Sequence, residues 1–161
     1  MDDISKRICC IYDYGNNVAL AERLSREFGR VLYYCPWETS NPESLRVAVG
    51  DGLENVERVL DFFDPEVLHR TDLFVFPDIY DGDLQLDLVS RGKRVWGARS
   101  GEDFEYKREL FAKTLKQVGL PVAPYKVIVG TSNLKKYLIE HDDLWIKVEM
   151  RGDGETWHHQ E

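Results

Sequence analysis

Short apolar runs alternate with amphipathic stretches along the first hundred residues. Each run is short enough for one strand, and apolar residues at helical spacing follow most of them. Nearly continuous apolar strands that alternate with helices are typical of a parallel sheet covered on both faces. The pattern therefore predicts an α/β fold. The predicted strands cover residues 7–12, 31–35, 72–76 and 93–96.

Three helices are predicted between these strands, from the spacing of apolar residues and the positions of glycine and proline. Residues 36–53 hold two prolines and two glycines, which predicts an irregular connection with a short strand at 46–49. The predicted helices cover residues 18–28, closed by Gly29; 56–63, ending before Pro65; and 84–89, stopped by Gly92.

The composition excludes several classes of partner. The 161 residues carry a net charge of −8, which disfavours binding to nucleic-acid phosphates. No basic cluster suits an anionic membrane surface, and no apolar run approaches the ~20 residues of a membrane helix. The N-terminus lacks the layout of a signal peptide, and the three cysteines include no CxxC pair. We therefore expect a cytoplasmic protein with buried, reduced thiols that contacts neither nucleic acid nor membrane.

The character of the sequence changes near residues 97–101. We therefore expect two domains, at residues 1–100 and 101–161. The second holds few elements, which would leave a sheet with an open edge. Either these elements pack onto the first domain or the chain is truncated, and we expect truncation. Its predicted elements are a helix at 102–118 ended by Gly119 and Pro121, a strand at 125–129, a helix at 133–140 capped by Ser132, and a strand at 144–149.

The last predicted strand carries a lysine and leads into a glycine-containing loop. A nucleotide triphosphate needs cations to balance its phosphates and glycines that let backbone N–H groups approach closely. Lys147, Arg151, Gly152 and Gly154 have these properties. The same spacing also fits an ordinary hairpin turn preceded by a lysine on an edge strand, and spacing alone leaves both interpretations open.

The order of four landmarks resembles the ATP-grasp superfamily, as in glycinamide ribonucleotide synthetase and D-alanine–D-alanine ligase. The resemblance covers residues 78–161 by motif and residues 1–77 by domain order only; the RGDGET loop also looks like that of phage-encoded proteins of this type. The landmarks are a strand ending at Gly97, a helix carrying Lys107, the turn Gly119-Leu-Pro-Val-Ala-Pro124, and the strand of Lys147 with its glycine-containing loop.

The resemblance implies a Rossmann-like pre-ATP-grasp domain followed by the start of an α+β ATP-grasp domain. From the helix, Lys107 would contact the phosphates of ATP, with Arg108 as the alternative. Lys147 would contact the phosphates and the base side of the site. Gly152 and Gly154, beside Arg151, would form a flexible lid. The complete parent would use ATP and Mg²⁺ to form an acyl-phosphate from a carboxylate and join it to an amine. Magnesium ligands come later in the family order, so this chain alone is expected to be inactive, and no catalytic residue is assigned.

Polar residues follow two of the predicted strands in the first domain. Ligands of open α/β sheets bind at the carboxyl ends of strands, so Tyr14, Gly15 and Asn16 are candidate substrate contacts. Their turn is not GxGxxG, so no dinucleotide is inferred, and a simple turn with Asn17 as helix cap remains the alternative. Asp78 and Asp81 follow another strand end and fit a substrate amine, a metal or solvent, and Asp78 is taken as a further candidate substrate contact.

Other functions have weaker support. His158 and His159 are adjacent, so on a strand they would face opposite ways, and no metal site is predicted. A small molecule is the expected partner, and a homodimer is left open. The alternative function is a non-catalytic, Rossmann-like module for small-molecule binding or interaction. A flavodoxin-like or response-regulator-like domain fits less well, because the first strand is not followed by paired acids or a phosphate-binding loop.

Overall fold

The computed structural model describes residues 3–37, 49–148 and 156–160. The chain divides into two compact units, Met1–Ser100 (the first unit) and Gly101–Glu161 (the second unit). No helix in the described part of the chain is long and apolar enough to cross a membrane.

The first unit is built around a five-stranded parallel sheet in the order β3-β2-β1-β4-β5. This arrangement confirms the predicted α/β class. The strands are β1 (Ile8–Tyr12), β2 (Arg30–Tyr34), β3 (Val56–Val59), β4 (Leu73–Val75) and β5 (Val95–Trp96), and the helices are α1 (Val18–Leu24), α2 (Pro65–Arg70) and α3 (Gly82–Ser90).

Both faces of this sheet are buried. Successive side chains of a strand point to opposite faces, so Cys9 and Ile11 join one apolar layer and Cys10 joins the other. The first layer includes Ala21 of α1, and the second includes Val67 of α2 together with residues of α3. The three cysteines are buried and free, as the sequence predicts.

The helix predicted at 56–63 is wrong. Residues Val56–Val59 form β3, which pairs with β2, and the helix begins only at Pro65. Asp64 caps that helix by accepting a hydrogen bond from the N–H of Glu66 at 2.8 Å, and proline is favoured at the first helical position. The prediction rested on the helical spacing of Val56, Val59, Leu60 and Phe63, but Leu60 is 75% and Phe63 62% exposed, so these four residues do not form one buried face.

The first helix is shorter than predicted, since α1 ends at Leu24. Gly29 does not end the helix; it allows the chain after α1 to lie against the backbone of residues 5–7. Its N–H donates to the carbonyl of Arg7 at 3.0 Å, and a Cβ there would lie 2.3 Å from the carbonyl oxygen of Ser5. Glycine is required at this position because any side chain would collide with that backbone.

The second unit contains helices and one antiparallel hairpin. The predicted helix at 102–118 is broken at Lys107, where φ is −110° and ψ is 81°. Its predicted stop is correct, because Gly119 follows α5 with a φ of 79°. The elements are α4 (Asp103–Tyr106), α5 (Arg108–Gln117), α6 (Thr131–Glu140), β6 (Leu144–Lys147) and β7 (Thr156–His159), with a 3₁₀ turn at Arg99–Glu102 before them.

Two local predictions in this unit are wrong. Residues 125–129 form no strand, and Val129 is 81% exposed without a paired neighbour strand in the described part of the chain. Ser132 is not a cap, because α6 begins at Thr131 and Gly130 holds the N-cap position. The hairpin partner β7 was not predicted, and most of the strand predicted at 46–49 lies outside the described residues.

Candidate functional site

The carboxyl ends of β1 and β4 lie side by side in the middle of the sheet. The chain order reverses here, since β2 and β3 extend from β1 while β5 extends from β4. A crevice at such a switch point is the usual ligand site of open α/β sheets. The turns after these two strands carry all four substrate residues predicted in the first unit.

Asp13 is the buried centre of the turn after β1, with only 1% of its surface exposed. Its carboxylate accepts hydrogen bonds from the N–H of Asn17 at 2.7 Å, from Asn17 Nδ2 at 3.0 Å and from the hydroxyl of Tyr33. Three donors satisfy the charge that burial would otherwise make costly. Burial, the hydrogen bond and the charge of Asp13 raise the pKa of Tyr33, so that tyrosine stays a donor.

The roles in this turn differ from the sequence interpretation. Asn17 holds the N-cap position of α1, but its side chain makes no capping hydrogen bond and instead donates to Asp13. Sequence reasoning missed Asp13 as a site residue. The available signal was an acidic residue placed directly between a buried strand and a helix, where a carboxylate can accept from the first N–H groups of the helix.

Tyr14 bridges the two turns. Its hydroxyl donates to Asp81 Oδ2 at 2.9 Å, and its carbonyl accepts from Trp37 Nε1 at 3.2 Å. Burial raises the pKa of Tyr14, and the hydrogen bond to Asp81 adds to the increase, so the phenol keeps its proton. Gly15 follows with a φ of 83° and Asn16 is exposed. The structure therefore places Tyr14, in the turn after β1, in contact with Asp81, in the turn after β4.

The turn after β4 is acidic and tightly shaped. Asp78 is half-buried, and its carboxylate accepts from the N–H of Ile79 at 2.7 Å. Asp81 adopts a left-handed backbone, with a φ of 63°, and precedes α3. Left-handed aspartate is uncommon and depends on support from its surroundings. The hydrogen bond from Tyr14 supplies such support across the crevice.

Gln85 of α3 is a second buried polar residue at this edge, and sequence reasoning also missed it. Its Nε2 donates to the carbonyl of Tyr80 at 2.8 Å, and its Oε1 accepts from the N–H of Arg99 at 2.8 Å. Gly97 is required beside it, because a Cβ there would lie 2.3 Å from that Oε1. Gln85 thus joins the turn after β4 to the segment after β5.

Aromatic rings form one wall near the crevice. The ring of Tyr12 lies 4.9 Å from those of Tyr34 and Phe62, and 5.1 Å from that of Phe76. The two tyrosines are half-buried while the phenylalanines are buried. The wall therefore combines buried phenylalanine rings with tyrosine rings that remain partly exposed.

In the second unit, Arg108 rather than Lys107 reaches the end of β6. Lys107 lies at the break between α4 and α5, and its Nζ pairs with Asp103 Oδ1 at 2.8 Å. Arg108 donates from Nε to the carbonyl of Val148 at 2.8 Å. Val148 directly follows Lys147, the exposed last residue of β6. Arg151, Gly152 and Gly154 lie outside the described residues.

The hairpin of β6 and β7 is held by contacts on its face. The rings of Trp145 and His158 stack at 4.5 Å between centroids, and His158 Nε2 lies 2.7 Å from Asp143 Oδ1. Its neighbour His159 contacts the carbonyl of Leu138 instead. Among the described residues, no group of three or more histidine, cysteine, aspartate or glutamate side chains is placed to hold a metal ion.

Comparison with known proteins gives similarity in structure only. No family model and no curated protein matches the sequence. N5-carboxyaminoimidazole ribonucleotide synthetase from Thermotoga maritima matches with a TM-score of 0.65 and 18% identity, over 97% of this chain and 41% of that chain. The enzyme from Staphylococcus aureus, complexed with ADP, matches with a TM-score of 0.69 and 14% identity, over 100% of this chain and 43% of that chain.

The chain therefore shares its fold with part of these synthetases, which are ATP-grasp ligases. The synthetase from Thermus thermophilus agrees, with a TM-score of 0.58 and 16% identity over 96% of this chain and 41% of that chain. The chain thus spans less than half the length of these structures. The resemblance to ATP-grasp enzymes that the sequence motifs indicated is confirmed at the level of the fold.

Proposed function

We propose that this chain is the N-terminal part of an ATP-dependent ligase that joins a carboxylate to an amine through an acyl-phosphate. The observation that carries the proposal is the hydrogen bond from Arg108 Nε to the carbonyl of Val148, the residue after Lys147, in a chain that shares its fold with ATP-grasp enzymes. The Staphylococcus aureus synthetase of the same fold is complexed with ADP, which supports ATP as the nucleotide.

The proposed nucleotide site needs cations for the triphosphate. Arg108 presents a planar guanidinium that suits phosphate oxygens, and Lys147 adds a mobile point charge. Lys147 would contact phosphate and the base side, while Arg151, Gly152 and Gly154 would close over the phosphates. Lys107 remains the alternative cation from the helix, but its ion pair with Asp103 competes with that role.

Magnesium is proposed for the complete protein, where it would neutralise phosphate charge and polarise the transferred group. The described residues offer no cluster of ligands for it, so no step is assigned through the metal. The contribution of this chain is to orient and neutralise the triphosphate. The substrate is proposed to bind in the crevice of the first unit, beside Tyr14, Gly15, Asn16 and Asp78.

Thermal unfolding with and without Mg-ATP tests the nucleotide site. Binding to the folded state at a hundredfold excess over Kd should stabilise it by about 2.7 kcal/mol. We expect the shift to be lost in Arg108→Ala and Lys147→Ala and largely retained in Lys107→Ala. Lys136→Ala, on the exposed face of α6, is the control and should retain the full shift.

Two outcomes would contradict the proposal. An equal loss in Lys136→Ala would show that the shift reflects general charge, and a shift unaffected by Arg108→Ala and Lys147→Ala would place the nucleotide elsewhere. The non-catalytic binding module is the second candidate, favoured by the buried polar networks of Asp13 and Gln85 in the first unit. It predicts ligand binding that none of the second-unit variants changes.

A further inference from the structure

The hairpin of β6 and β7 depends on contacts between its strands for its register. Trp145 lies opposite His158, and Lys147 lies opposite Thr156. The connection between the two strands spans residues 148–155, which is longer than the two-residue turns that fix a hairpin by themselves. A slip of one residue would turn Lys147 to the other face of the hairpin. The position of Lys147 therefore depends on the side chains that hold the strands in register.

One such contact is an aromatic pair across the strands. The rings of Trp145 and His158 stack with their centroids 4.5 Å apart and their planes at 7°. Trp145 and Lys147 are exposed, whereas Leu144 and Ile146 are half-buried. Since successive side chains of a strand point to opposite faces, the stacked pair shares the exposed face of the hairpin with Lys147. The stack therefore lies one register pair away from Lys147.

A second contact joins His158 to the residue before β6. Its Nε2 lies 2.7 Å from Asp143 Oδ1. The N–H of Asp143 donates to Asp142 Oδ1 at 2.8 Å, which places a second carboxylate in the same turn. Protonation of the imidazole strengthens both contacts, because the hydrogen bond to the carboxylate becomes charge-assisted and the indole ring attracts a cation.

The neighbouring groups do not reverse this preference. On β6, the charged residue of the exposed face is Lys147, which is diagonal to His158 and so about 7–8 Å away in a regular hairpin, whereas Asp143 is in direct contact. Gln160 Nε2, at 3.5 Å from His158 Nε2, is uncharged. On the opposite face, His159 contacts α6 instead. Attraction to Asp143 therefore outweighs repulsion from Lys147.

We propose that His158 is a positioning residue for Lys147, and that its protonation holds the hairpin in the register that places Lys147 on the exposed face. Histidine normally changes its charge between about pH 5 and 8, so the contacts are strongest in the acidic part of this range and weaken as the pH rises. The inference rests on the proposed nucleotide role of Lys147 and adds a pH dependence to it. Because Asp143 is 83% exposed, the effect is modest.

Amide hydrogen exchange of the whole chain without nucleotide, followed by NMR at pH 6 and pH 8, tests the positioning role. After correction for the intrinsic exchange rate, protection of the β6 amides should be about threefold greater at pH 6. His158→Phe keeps a ring opposite Trp145 but cannot be protonated, so its protection should be equal at both pH values. His141→Phe is the matched control, because His141 stacks on Tyr137 of α6 at 3.9 Å, and it should respond to pH like the parent.

Binding of Mg-ATP tests the consequence for Lys147. The ratio of the affinity at pH 6 to that at pH 8 should be about threefold larger in the parent than in His158→Phe, and comparing ratios cancels protonation of the nucleotide itself. A pH response of β6 protection that His158→Phe does not change would overturn the proposal, as would an unchanged affinity ratio. Failure of Mg-ATP to bind at either pH would contradict the ligase proposal, while the exchange measurement would still decide the role of His158.

Discussion

The two units differ in how they bury apolar side chains. The first unit packs two apolar layers against a five-stranded sheet, and all the fully buried apolar residues in the described part of the chain belong to it. The described residues of the second unit leave large apolar side chains exposed, including Val129 at 81% and Ile139 at 72%. A two-stranded hairpin buries little by itself, so tertiary packing stabilises the first unit and local contacts stabilise the second.

The largest expected effect contrasts two adjacent residues. Phe62 is 1% exposed and contacts the rings of Tyr12, Tyr34 and Phe74. Phe62→Ala should lower the free energy of unfolding by about 3–5 kcal/mol, because it leaves a cavity in a packed layer. Phe63→Ala, at a residue 62% exposed, should cost under about 1 kcal/mol. Urea unfolding measures both.

Thiol alkylation tests whether the stability lost in Phe62→Ala is lost from the first unit. All three cysteines lie in the first unit and are buried, and burial raises the pKa of Cys9 to about 12. Alkylation at pH 8 should therefore require opening of the first unit. Phe62→Ala should accelerate labelling, whereas Ile139→Ala in the second unit should not. Equal acceleration by both variants would mean that the two units unfold together, which would contradict the proposed difference in how they are stabilised.

The next effect concerns glycines. Gly97→Ala would place a Cβ 2.3 Å from Gln85 Oε1 and 3.0 Å from the Cβ of Phe76. Because this collision falls in a buried network, we expect a loss of about 2 kcal/mol. Gly119→Ala meets no atom within 4 Å and should cost only about 1 kcal/mol, for the left-handed backbone. Amide hydrogen exchange in each unit gives the two losses, and a larger loss for Gly119→Ala would contradict the comparison.

A hydroxyl deletion is expected to have a smaller effect. Tyr33→Phe removes one donor from the buried carboxylate of Asp13 and should cost about 1–2 kcal/mol. Tyr125→Phe in the second unit, at a residue 44% exposed, should cost almost nothing and keeps the ring that Lys116 contacts. Denaturation midpoints of the two variants should therefore differ, and equal midpoints would show that the Asp13 network is not stabilising.

The sequence correctly predicted those elements in which the apolar pattern and the flanking turn residues indicate the same type of structure. Strand β1 combines an apolar run with a polar turn, and α3 combines apolar spacing with Gly92 at a φ of 77°. The helix at residues 56–63 was predicted from four apolar residues at helical spacing, but residues 56–59 pair with β2 instead. Residues 125–129 had a strand-like composition, but a strand also needs a neighbour, which composition does not reveal.

The candidate site was predicted only in part, for a different reason. Tyr14 was chosen because it follows a strand, and it does contact the neighbouring turn through Asp81. Asp13 and Gln85 were missed because polar residues are usually exposed, and only tertiary contacts show that these two are buried and satisfied. The preference for Arg108 over Lys107 depends on the helix break, which no residue type signals.

The smallest expected effect is a pH dependence in the first unit. The carboxylate of Asp72 accepts hydrogen bonds from the N–H of Ile8 at 2.8 Å and from Arg7 Nη1 at 2.7 Å. The backbone hydrogen bond contributes most, and the arginine adds to it, so the pKa of Asp72 lies below the usual 3.8. A carboxylate whose pKa is lower in the folded than in the unfolded state stabilises the folded protein at pH values above its unfolded-state pKa. That stabilisation is lost as the pH falls through the folded-state pKa. Urea unfolding should show Asp72→Asn less stable than the parent at pH 7, with the difference shrinking toward pH 3. A difference independent of pH would mean that Asp72 acts through packing alone.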